Sequence, residues 1–142
     1  MEKNEKKDIL DSLFFNGRAS RKFSILNDKI AIEIDNIITG DQLELESSMG
    51  ELKGSTAFIL HTYSMNLLSK TLRKYGDKSF SSPTQAKEFL LTLPGSVVDF
   101  LVKKQTEFEK DIAKLYTGEE VEKNFFTTAS PEQGLRQDTK QG

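Results

Sequence analysis

The stretch that decides the fold is Arg21-Lys22-Phe23-Ser24-Ile25-Leu26-Asn27-Asp28-Lys29-Ile30-Ala31-Ile32-Glu33-Ile34. Asn27-Asp28 has the composition of a two-residue turn, since both residue types tolerate the left-handed backbone that such a turn needs. With that turn, Ile25 pairs with Ile30 and Phe23 with Ile32. The four side chains share one face, Ile34 extends the row, and Ser24, Ala31 and Glu33 point the other way. The segment is therefore read as a β-hairpin. An isolated hairpin is marginal in water, so its apolar face requires cover from helices or from another chain.

Helical patterns surround it. Ile9, Leu10, Leu13 and Phe14 fall on one helical stripe ahead of the break at Asn16-Gly17. After the hairpin, Gln42-Leu43-Glu44-Leu45-Glu46 alternates like a strand. Thr39 or Asp41 can equally cap a short helix reaching Met49, and the helix is adopted here. From Ser55, the positions Phe58, His61, Met65, Leu68, Leu72 and Tyr75 step by three and four, which predicts a five-turn helix closed by Gly76. Ser82-Pro83-Thr84-Gln85 is a helix start, with serine as cap, proline in the first turn and glutamine placed to close a capping box. Ala86, Phe89, Leu90 and Leu93 form its core face, and Pro94-Gly95 ends it. A last helix runs from about Ser96 to Thr117 on the seam Val98, Leu101, Gln105, Phe108, Ile112 and Leu115, with Gln105 as its single polar member.

These patterns predict an α+β fold in which an N-terminal antiparallel hairpin packs on a mainly helical domain of three to four helices. Residues 1–20 form an arm or short helix, 21–118 the α+β domain, and 119–142 an extended or disordered tail. The chain has 142 residues, enough for one core. Its apolar share of 36%, or roughly 42% with the nine glycines, lies below the usual 45–50%, and the shortfall is assigned to polar ends.

Composition narrows the chemistry. Lys and Arg number 20 against 22 Asp and Glu. That balance lacks the basic excess expected of a nucleic-acid binder and offers nothing to an anionic membrane surface. The absence of cysteine excludes disulfides, thiolate nucleophiles and cysteine-based metal sites, and it fits a reducing compartment. No stretch has the roughly 20 apolar residues that span a bilayer. The opening residues Met1 to Asp8 mix charges and lack the form of a signal peptide.

His61 has no acid at helical neighbour spacing, and its seam position favours a packed or partly buried structural histidine over a general base. Asp41, Glu44, Glu46 and Glu51 match no metal-binding loop and read as a solvated face. Glu107, Glu109 and Asp111, interleaved with Lys103, Lys104, Lys110 and Lys114, read as the exposed face of a long helix. Arg18, Arg21 and Lys22 form the densest basic patch, open to a phosphate backbone or to guarding a strand edge. No phosphate-binding glycine loop and no serine nucleophile elbow is present. A non-enzymatic protein without cofactor or small-molecule substrate is expected.

Two pairs of adjacent phenylalanines stand apart. Phe14-Phe15 lies near the start and Phe125-Phe126 in the polar tail. Each ring offers about 1.5–3 kcal/mol on full burial. The pairs either fold back onto the domain or act as anchors on a partner or a neighbouring copy.

The layout resembles the small tail-module proteins of tailed bacteriophages, namely tail assembly chaperones and small subunits of the baseplate or hub. The resemblance rests on Phe14-Phe15-Asn16-Gly17-Arg18 leading into the hairpin strands Lys22 to Ile25 and Ile30 to Ile34. It continues through Ile37-Ile38-Thr39-Gly40-Asp41-Gln42 and a helical remainder containing Lys53-Gly54-Ser55 and His61-Thr62-Tyr63, and covers residues 12–126. It implies a virion component or assembly factor that binds other tail proteins or copies of itself. Its place would then be the host cytoplasm during assembly, or the finished virion. A bacterial chaperone or adaptor that binds an unfolded segment is the alternative, and an apolar groove would support it.

Overall fold

The computed structural model describes residues 3–117. The expected tail at 119–142, with Phe125 and Phe126, lies outside these residues. The elements in chain order are α1 (Lys3–Asn16), β1 (Ser20–Ile25), β2 (Ile30–Asp35), α2 (Thr39–Met49), α3 (Thr56–Thr71), β3 (Leu72–Tyr75), β4 (Lys78–Ser79), α4 (Pro83–Leu90) and α5 (Gly95–Thr117). The four strands form one antiparallel sheet in the order β1-β2-β3-β4.

The β1–β2 hairpin has the register that its pattern dictates: Phe23 faces Ile32 and Ile25 faces Ile30. Lys29 N–H donates to the Leu26 carbonyl at 3.2 Å around Asn27 and Asp28. Both turn residues have positive φ, 56° and 65°. Ile32 and Ile34 are fully buried, whereas Ser24 and Ala31 are exposed.

Two expectations need correction. Among the described residues there are five helices rather than three or four, and the sheet is not confined to the N-terminal hairpin. The predicted five-turn helix from Ser55 ends at Thr71, and Leu72 to Tyr75 continue as β3. The physical reason is the free edge of β2, whose N–H and C=O groups need partners. Leu72 pairs with Ile34 and Tyr75 with Ile32, across a register shift at Glu33/Ile34. Gly76 is accordingly a hairpin glycine and not a helix terminator. Its φ is +64°, its N–H donates to the Ala31 carbonyl at 2.8 Å, and it opens the turn into β4. Glycine suits the first central position of such a tight turn because it carries no Cβ.

The remaining starts follow local chemistry. Ser55 and Ser82 cap α3 and α4 by accepting from the N–H groups of Phe58 and Gln85. The Gln85 side chain reaches back to accept from Ser81 N–H at 3.0 Å. Neither predicted cap of α2 serves: Thr39 is already the first helical residue, and Ile38 holds the cap position with no side-chain bond to the helix. Asp41 falls in the first turn, where a carboxylate suits the positive end of the helix dipole.

The core gathers Ile9 of α1, Ile32 and Ile34 of β2, Leu68 of α3, Leu72 of β3, Leu90 of α4, and Leu101, Phe108 and Ile112 of α5. The α5 seam thus packs against the sheet as its three-four spacing predicts. The second hairpin is pinned to α4 by aromatic contacts, with Tyr75 and Phe80 at 4.9 and 5.3 Å from Phe89.

Candidate interaction surface

A polar hub fixes one side of the sheet. Asp35, buried at the end of β2, accepts from Ser20 Oγ at 2.5 Å and Arg73 Nε at 2.6 Å. Gln105, only 1% exposed, donates to the Asp35 carbonyl at 3.3 Å and to Glu109 Oε2 at 2.6 Å. The same Glu109 oxygen accepts from Ile37 N–H at 2.7 Å. Asn36 Oδ1 accepts from Ala19 N–H at 2.7 Å and ties the start of β1 to the end of β2. The single polar member of the α5 seam is therefore a clamp on the backbone that leaves the sheet.

The charged face predicted on α5 is correspondingly corrected. Glu109 and Asp111 turn toward the sheet, because unpaired backbone and guanidinium groups there need acceptors. Arg21 binds Asp111 at 2.8 Å and Glu5 at 3.2 Å, and stacks over Phe108 at 4.8 Å. Arg18 pairs with Asp41 at 2.9 Å, while its Nη1 is buried without a partner. Two of the three cations in the basic patch thus hold structural carboxylates, and Lys22 alone stands exposed. That leaves little charge for a phosphate backbone, and β1 is an edge strand.

The acidic cluster is likewise engaged locally. Glu44 pairs with Lys70, and Glu46 accepts from Gln42 at 2.7 Å. Among the described residues, no group of three or more His, Cys, Asp or Glu side chains is placed to hold a metal ion. No helix among them is long and apolar enough to cross a membrane.

His61 is exposed, not packed, because the first turns of α3 project beyond the core. It lines a cleft of about 280 Å³ between α3, α4 and α5 with Ser64, Met65, Leu91, Val98 and Asp99. No hydrogen bond or ion pair links His61, Ser64 and Asp99. The three side chains therefore share a cleft without forming a proton relay.

The most conspicuous surface feature is the end of α1. Ile9 is buried and Leu13 packs on the core, one turn apart, so the inward stripe runs through these two positions. Phe14 and Phe15 follow on the outward arc, 83% and 77% exposed. The predicted stripe therefore divides: Phe14 lies outside it, and Leu10 is at its margin. The two rings meet edge to face, with centroids 5.1 Å apart at 83°. Gly17 closes the helix at φ +71°, its N–H donating to Leu13 O at 3.0 Å. This places the pair on a firmly ended helix immediately before β1.

A second apolar feature, which sequence reasoning missed, lies at the tip of the first hairpin. Ile25, Leu26, Val97 and Phe100 line an open cavity of about 530 Å³ together with Ser24, Asn27, Asp28 and Ser96. Leu26 is 59% exposed and has φ +55°. A left-handed backbone costs a residue with a Cβ about 1–2 kcal/mol. The available signal was an apolar residue directly beside an Asn-Asp turn.

Comparison of the chain with protein families, with curated proteins and with solved structures finds no match.

Proposed function

We propose that the protein is a non-enzymatic structural or assembly component of a bacteriophage tail or baseplate, working through protein–protein contacts. The observation that carries the interaction reading is the exposure of Phe14 and Phe15 together at the end of α1. Two adjacent rings held in water oppose the hydrophobic driving force, and a partner that covers them recovers it. Neutralisation of Arg18 and Arg21 within the domain supports a protein partner over nucleic acid. The assignment to a tail module rests on the layout resemblance across residues 12–126.

A chaperone or adaptor is the second reading, and the cleft between α3, α4 and α5 favours it. Met65, Leu90, Leu91, Leu93 and Val98 give that cleft an apolar wall suited to a short client segment. The test is co-expression of the full chain with the gene products encoded beside its own gene, followed by gel filtration. A stable complex with a tail or baseplate protein is expected, lost in Phe14→Ala with Phe15→Ala. Recovery with an unfolded client through the cleft would favour the chaperone. Recovery of the chain alone contradicts both.

A further inference from the structure

We propose that Phe14 and Phe15 of one copy seat in the hairpin-tip cavity of a second copy, joining chains head to tail. The inference rests on reading the phenylalanine pair as an interface anchor and names its partner.

Placement is the first argument. Phe14 and Phe15 stand just before the start of β1, whereas Ile25, Leu26, Val97 and Phe100 line a cavity at its far end. The strand has six residues, which separates the two features by about 20 Å. Its contacts with α5 run the same way. Arg21 meets Asp111, Phe23 meets Phe100, and the tip meets Val97. A chain that carries a knob at one end of a strand and a half-apolar hollow at the other cannot join them within itself. A neighbouring copy can.

Size and chemistry agree. Two phenylalanine rings present about 300–500 Å² of apolar surface, and a hollow of about 530 Å³ can receive them, with Ile25, Leu26, Val97 and Phe100 against the rings and Ser24, Asn27, Asp28 and Ser96 completing its lining. Leu26 supplies an independent sign. Its left-handed backbone holds an apolar, largely exposed side chain at the hollow, where asparagine or glycine would sit without strain.

The area also sets the strength. A stable pair buries about 800 Å² on each partner, so this contact alone is weak and acts at high local concentration or through repetition. Because the two surfaces differ, the contact is heterologous. It gives a ring if the rotation closes and a filament if it does not, unlike a two-fold dimer.

Sedimentation velocity on the full chain, from about 10 µM to about 1 mM, tests this in the range where so small a contact associates. The wild type is expected to form species beyond a dimer as concentration rises. Phe14→Ala with Phe15→Ala removes the knob, and Leu26→Asp, or Ser24→Lys in the exposed lining, blocks the hollow. Each is expected to weaken association at least about 100-fold. An equimolar mixture of a knob variant and a hollow variant retains one working pair of surfaces and is expected to give a 1:1 dimer and nothing larger.

Monomeric wild type at every concentration overturns self-docking and leaves the phenylalanine anchor for a different partner. Association that survives loss of both phenylalanines overturns the anchor as well. Failure of the mixture to pair, with both variants monomeric, replaces the head-to-tail contact with a two-fold one.

Discussion

Two ends of β1 obey opposite rules. Where β1 begins, Asp35, Asn36, Gln105 and Glu109 are tied to backbone and side-chain partners, and the α5 seam closes over them. One helix end away, Phe14 and Phe15 stand in water. At the opposite tip a strained Leu26 does the same. The four polar residues of the hub are inside and paired, whereas Phe14, Phe15 and Leu26 are large apolar residues left outside. Burial of an apolar side chain and satisfaction of a polar one are the two stabilising moves open to a chain of this size. The hub uses both. The side chains of Phe14, Phe15 and Leu26 are mostly unburied, which is the pattern of surfaces completed by another molecule.

Phe108→Ala is expected to have the largest effect. It empties a fully buried site under Arg21 and costs about 3–5 kcal/mol in denaturant unfolding. A loss below about 1 kcal/mol would mean that the α5 seam is not the main core. Asp35→Ala comes next, at about 1.5–3 kcal/mol, because Ser20 and Arg73 lose a shared acceptor. Asp35→Asn should recover part of that loss by keeping a hydrogen-bonding oxygen, and equal loss in both variants would show that charge alone matters. Ser82→Ala removes the α4 cap and should cost about 1 kcal/mol, with local hydrogen exchange rising first at Gln85 and Ala86. Leu26→Asn is expected to stabilise the isolated chain by about 0.5–1 kcal/mol, since asparagine adopts the left-handed backbone more readily. Destabilisation there would show that Leu26 packs in the monomer and would weaken the contrast between hub and tip.

Much of the fold was legible because periodicity reports burial. The hairpin register, the start of α3 after Ser55, the serine cap of α4 and the α5 seam all follow from residues within one short window. The end of α3 was not legible. Leu68, Leu72 and Tyr75 face the core whether the chain stays helical or turns into a strand, so the seam continues across the break. The deciding contact, β3 against β2, joins residues about 40 apart, beyond any local pattern. Glu109 and Asp111 were misplaced for the same reason, because their partners Ile37 and Arg21 lie on elements far away in sequence. Of the interaction surface, the phenylalanine pair was visible as two apolar residues at a helix end. The hairpin-tip cavity was not, since it exists only where Val97 and Phe100 come to meet Ile25 and Leu26.

Whether Phe14 and Phe15 are held out of the core is decided by equilibrium unfolding of the full-length Phe14→Ala, Phe15→Ala variant. Loss of the edge-to-face contact, about 0.5–1.5 kcal/mol, is offset by the higher helix propensity of alanine at two positions. A stability within about 1 kcal/mol of the wild type is expected, as for substitutions at the surface. A loss of about 3 kcal/mol or more, the signature of a buried phenylalanine, would place the pair in the core and contradict its exposure.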